Sequence, residues 1–154
     1  MIPTKEECLA ILEKNKTPSN VIEHCKTVCQ VAEDVTEKLI KKGVKVNKEL
    51  VTAAALLHDV EREKEDHVAA GANLLNSLGF PEVCEVIKKH TLYQLEDIQL
   101  KSVEEKIVFY ADKRVKGDKI VSLEKRFEDL AKRYNKSFKE EFGFAKKIGE
   151  ELLK

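Results

Sequence analysis

Net charge is missing from this chain: 28 lysines and arginines are balanced by 28 aspartates and glutamates over 154 residues. No overall field draws it onto nucleic acid or an anionic membrane, so any anion binding must be local. Long apolar runs are missing too. No stretch approaches the ~20 apolar residues that a membrane span requires. The opening Met1-Ile2-Pro3-Thr4-Lys5-Glu6-Glu7 carries two acids and no signal-like core, so secretion is not expected and a cytoplasmic location is. Glycine-rich phosphate loops of the Walker or Rossmann type, low-complexity linkers and internal repeats are also absent. Period-two alternation is confined to Val44-Lys45-Val46, which leaves little room for a sheet. The four cysteines, Cys8, Cys25, Cys29 and Cys84, show neither zinc-finger nor thioredoxin spacing. Cys25 and Cys29 lie one helical turn apart and would suit a metal only with more sulfur nearby, so reduced, buried thiols are expected.

What the chain does contain is helical spacing almost throughout. Thr4 and Glu7 form a capping box for a first helix that Thr17-Pro18 breaks. Ser19 or Asn20 opens a long helix with Val21, Cys25, Val28, Ala32, Val35 and Leu39 on one stripe, closed at Gly43. Asn47 caps a third helix through Leu57, apolar on most faces and therefore central. Asp66 caps a fourth, stopped at Gly79, with His67 in its first turn. Pro81 suits the first turn of a fifth running to His90. After a loop around Tyr93 to Leu100, Ser102 and Glu105 box the start of a helix reaching Val115. Two further stripes cover about Ser122 to Tyr134 and Ser137 to Lys154; they contain no histidine and read as scaffold. The expected fold is a single all-α domain over residues 1–154, a bundle of about seven or eight helices.

Chemistry concentrates at His58-Asp59, directly after the apolar run Val51-Thr52-Ala53-Ala54-Ala55-Leu56-Leu57. Histidine and aspartate are costly to bury without polar partners, and a divalent cation would satisfy both. The remaining histidines, His24, His67 and His90, each stand near a helix end, and Asp112 sits in the second half of its helix. On spacing alone, His67 reads equally as a first-turn surface residue, and His90 as a helix C-terminal residue favoured by the dipole.

Five segments together resemble the HD-domain superfamily of metal-dependent phosphohydrolases. They are Val21-Ile22-Glu23-His24, Ala53 to Arg62 around the doublet, His67-Val68-Ala69-Ala70-Gly71-Ala72, Ile87-Lys88-Lys89-His90-Thr91 and Tyr110-Ala111-Asp112-Lys113. The similarity spans about residues 21–126. It implies that His24, His58, Asp59 and Asp112 hold one metal, and that His67 and His90 hold a second with Asp59 bridging. Imidazole and carboxylate donors suit Mn, Fe, Co, Ni or Zn better than Ca or Mg. Glu61 stands where a common subfamily has glycine, and it either points to solvent or sets an extra carboxylate beside the site that would alter substrate choice. Arg62 keeps that pattern's basic residue and is the first candidate for a phosphate clamp, with Lys113 and Arg114 second.

The expected reaction is hydrolysis of a phosphate ester or anhydride, with Asp59 and Arg62 as catalytic residues. By resemblance the substrate is a small phosphorylated molecule, a nucleotide foremost, with neither nucleic acid nor membrane as partner. Two other outcomes share the motif: a di-iron oxygenase of the same type, and a non-catalytic nucleotide-binding or regulatory domain.

Overall fold

The computed structural model describes residues 1–90 and 100–154. The loop expected from Tyr93 onward falls, up to residue 99, outside the described residues. Among these, eight helices and one small hairpin follow one another: α1 Lys5–Lys14, α2 Ser19–Lys41, α3 Lys48–Leu57, α4 His67–Ser77, α5 Pro81–Ile87, α6 Val103–Lys113, β1 Val115–Lys116, β2 Lys119–Ile120, α7 Leu123–Tyr134 and α8 Lys139–Leu153. The all-α reading holds.

Both capping boxes form. The Thr4 hydroxyl accepts from the Glu7 N–H at 3.1 Å while the Glu7 carboxylate accepts from the Thr4 N–H at 2.9 Å. Ser102 and Glu105 repeat the exchange at the head of α6 at 3.1 and 3.0 Å, satisfying N–H groups that a helix start leaves unpaired. Asn47 caps α3 and Ser122 caps α7, each accepting from the N–H three residues on.

α3 is the centre. Val51, Ala53, Ala54, Ala55, Leu56 and Leu57 are all buried, and its alanines let α1, α2, α5 and α6 approach closely. Burial of Leu56 and Leu57 contributes about 1.5–3 kcal/mol each. The whole stripe expected on α2, Val21 to Leu39, is likewise buried. A smaller aromatic cluster, with Phe109 of α6, Phe127 and Leu130 of α7 and Ala145 of α8 buried and Phe138, Phe142 and Phe144 around them, attaches the C-terminal helices. Gly149 of α8 lies so close to α6 that a Cβ there would sit 2.6 Å from Tyr110 Cε1.

Two boundaries differ from expectation. α5 ends at Ile87 rather than His90, because its last residues tighten into i→i+3 turns, with the His90 N–H donating to the Ile87 carbonyl at 3.4 Å. α6 stops at Lys113, and Val115 instead pairs with Ile120 in a hairpin. Two-residue strands are too short to show alternation; the turn signal was Gly117-Asp118, where Gly117 takes φ +62°. The cysteines agree with the thiol reading: all four are free and buried. Burial, with Glu7 and Glu33 nearby, pushes Cys8 and Cys29 up to about 12, so both stay protonated at neutral pH.

Candidate metal centre and its cleft

The polypeptide brings each of three histidines in by a backbone carbonyl. His24 Nδ1 lies 2.7 Å from the Gly117 carbonyl in the hairpin turn, His58 Nδ1 lies 2.7 Å from Ala55, and His90 Nδ1 lies 2.6 Å from Ile87. A carbonyl oxygen only accepts, so in all three rings Nδ1 carries a hydrogen and Nε2 is the atom left to face the site. The hairpin is in turn tied to α2, where the Thr27 hydroxyl donates to the Asp118 carbonyl at 3.0 Å. The doublet is held from its far side, where Thr17 Oγ1 and Asn15 Nδ2 both donate to the Val60 carbonyl at 3.0 and 3.1 Å.

Those Nε2 atoms converge on two buried carboxylates. Asp112 Oδ1 is 3.1 Å from His24 Nε2 and 3.2 Å from His58 Nε2. Asp59 turns one oxygen each way. Its Oδ2 faces His58 and His24 at 3.4 and 3.6 Å, and its Oδ1 faces His90 and His67 at 3.3 and 3.9 Å. Two ligand groups result, His24-His58-Asp59-Asp112 and Asp59-His67-His90, each with donor atoms within 4.8 Å of one another. Imidazole nitrogens set against carboxylate oxygens need positive charge between them, a proton or a metal ion. The donor set therefore fits a divalent cation in each group, and imidazole with carboxylate suits first-row metals from Mn to Zn.

The electrostatics carry the same demand. Burial disfavours the charged form of His58, yet the Asp59 and Asp112 carboxylates hold its pKa well above that of an ordinary histidine. Against the same burial, His58 and His90 hold Asp59 well below the carboxylate range. Lys113 and then His24 do so for Asp112. His67 moves the other way, lowered by burial and by Arg62.

Above the ligands opens a cleft of about 540 Å³. Arg62 lies on its rim, Nη1 3.3 Å from His67 Nε2. Lys113 lies at its floor and is buried, its ammonium 2.5 Å from Asp112 Oδ2 and donating to the His90 carbonyl at 2.8 Å. It holds two ligands in place and leaves Asp112 only Oδ1 to offer. Arg114 does not join the site. Its guanidinium donates to the Val121 carbonyl at 2.6 Å and to the Tyr110 hydroxyl at 2.8 Å, bracing the hairpin, and it does not line the cleft. Glu61 is also elsewhere, with Oε2 3.8 Å from Lys64 Nζ.

The opposite side of the cleft corrects the reading of the C-terminal helices as scaffold. Arg126, Arg133 and Tyr134 of α7, Lys136 and Phe138 of the following turn, and Glu141 of α8 all line it. Lysine is common throughout the chain and hides Lys136, whereas Arg126 and Arg133 are two of only four arginines, a scarcity that does not by itself say which way they face. The usable signal was Asn135, a residue tolerant of the left-handed conformation that it adopts as the C-cap of α7 with φ +48°.

The family model described as HD domain matches residues 21–116. Among relatives, an uncharacterized protein of Methanocaldococcus jannaschii is 34% identical, over 86% of this chain and 87% of its own length. Two proteins named tRNA (cytidine(56)-2′-O)-methyltransferase are also similar. That of Picrophilus torridus is 30% identical over 98% of this chain, and that of Thermoplasma volcanium 31% over 90%. The chain spans 47% of the length of each of these two. No solved structure matches it.

Proposed function

This chain belongs to the HD-domain family, and from that premise we propose that it is a divalent-metal-dependent phosphohydrolase acting on a nucleotide or a related phosphate compound. The observation that carries the reading is Asp59, whose two oxygens face two separate histidine groups at the floor of a cationic cleft. Cations held by His24, His58, Asp59 and Asp112, and by Asp59, His67 and His90, would supply Lewis acidity and lower the pKa of a nearby water. The protein's own residues do the rest. The Gly117, Ala55 and Ile87 carbonyls fix three imidazole tautomers, and Lys113 fixes Asp112. Arg62, with guanidinium donors at the rim, binds non-bridging phosphoryl oxygens.

The test is phosphate or nucleotide release in an anaerobic chamber, run with Mn or Zn beside an oxygen electrode. Hydrolysis is expected to persist without oxygen. Substrate-dependent oxygen uptake with no phosphoryl product would replace this reading with the di-iron oxygenase. Silence in both across a broad nucleotide panel would replace it with the regulatory domain.

A second reading has its own observation: the chain corresponds to about half of two proteins named for a tRNA methyl transfer. On that reading the phosphate lies at an RNA end, and the same release assay on 3′-phosphorylated and cyclic-phosphate oligonucleotides distinguishes it. Methyl transfer itself is not proposed for this segment. A cleft lined by arginine and lysine repels a sulfonium cofactor and attracts a phosphate.

A further inference from the structure

We propose that the cleft holds a second phosphoryl-binding subsite, formed by Arg126, Arg133 and Lys136, so that the substrate carries two phosphoryl groups, one over the ligand groups and one against this wall. The inference rests on the phosphohydrolase reading and adds to it the substrate's second anchoring point. The wall lies beyond the family-matched segment 21–116.

Three observations carry it. Arg126 Nε is buried and has no hydrogen-bond partner among the described residues; a buried donor left unpaired is costly and points to an acceptor that arrives with a ligand. The charge on this side exceeds what surrounds it. Asp129 serves Lys116 and Arg133 at 2.9 and 3.2 Å, while among the described residues no carboxylate lies within 4.0 Å of Arg126 or Lys136, counting side-chain nitrogen to oxygen. Lys136 is also held in position. Its N–H donates to the Ala131 carbonyl at 3.2 Å across the left-handed Asn135, and its ammonium lies 4.9 Å from the Phe138 ring centroid. Phosphoryl oxygens only accept hydrogen bonds, and such donors match them. The cleft's volume, about 540 Å³, is in the range that encloses a whole small molecule, roughly 300–1,000 Å³.

The experiment is calorimetric binding to the Mn-loaded chain of 154 residues. The probes are AMP, α,β-methylene-ADP with linked phosphoryl groups, and adenosine 3′,5′-bisphosphate with separated ones. At least one two-phosphate probe is expected to bind about tenfold or more tightly than AMP, as one charge-assisted contact would give; which one does so identifies the spacing. Arg126→Gln/Lys136→Gln is expected to erase that preference with metal content unchanged, and Arg126→Lys to restore part of it. Circular dichroism checks the fold, and Lys136→Gln alone, at an exposed position, serves if the double variant unfolds. Equal affinity for all three probes in the parent, or a preference that survives the variants, would overturn the subsite. A clear preference without any phosphate release keeps the subsite and discards the hydrolase reading; release with flat binding does the reverse.

Discussion

At the floor of the cleft, His58, Asp59, His90 and Asp112 are buried, and each of the His24, His58 and His90 rings has its Nδ1 held by a backbone carbonyl, in the hairpin turn for His24 and three residues back for His58 and His90. Along the C-terminal wall, Arg133, Tyr134 and Lys136 stand exposed, Tyr134 at 53%, on a turn attached through a small aromatic cluster. The floor is preorganised because its polar atoms have nowhere else to turn. The wall depends on its ligand, since surface ion pairs such as Asp129 with Lys116 and Arg133 hold weakly in water. A rigid reactive centre facing an adjustable binding surface is a division in which floor and wall can change separately.

The strongest way to break that comparison is Asp59→Ala. Asp59 belongs to both ligand groups, so its loss is expected to remove metal and to lower hydrolysis by more than the ~10–100-fold typical of losing outer support. The helical fold should remain, measured by circular dichroism beside metal analysis. Near-normal turnover at unchanged metal content would mean that the floor is not the reactive centre.

Gly149→Ala tests the wall. A Cβ at 2.6 Å from Tyr110 Cε1 cannot be housed without moving a buried ring whose hydroxyl accepts from Arg114. Overpacking of this kind costs about 1–3 kcal/mol. Denaturant melts should show that loss while the parent's metal stoichiometry is kept. If metal content falls in step with stability, floor and wall are one unit and the comparison fails.

The same contrast explains what could be read from sequence. Histidine is scarce here, four residues in 154, and each one near a helix end was conspicuous; the structure gathers all four, with Asp59 and Asp112, into two adjoining groups that share Asp59. The bridging orientation of Asp59 was implied by the family resemblance, and the geometry displays its two-sided placement. Lys113 and Arg114 are neighbours in sequence and could not be told apart without the helix end between them. One side chain turns inward to Asp112 and the other outward to Tyr110. Arg126 and Arg133 are two of only four arginines and Lys136 follows Asn135, but none of these marks says which way the side chains face. Their facing depends on how α7 and α8 pack against α6, a tertiary relation that periodicity does not encode.

The smallest expected effect separates the two ligand groups by their protons. In the metal-free chain His58 has its pKa raised above the ordinary 6.5 and His67 has its lowered. At pH 7 His58 thus retains a proton and His67 does not, so a metal taking His58 as a ligand displaces the proton on that ring, and one taking His67 displaces none from its ring. A raised folded value contributes stability that is fully present below the unfolded value of about 6.5 and is lost as pH rises through the folded value. Metal-free protein should accordingly lose stability as pH climbs through that value, and metal-loaded protein should lack this loss. Titration of metal into weakly buffered protein at pH 7, with a pH indicator, reads the protons directly. Release that is equal for the first and second equivalents would remove the distinction between a proton-holding His58 and a neutral His67.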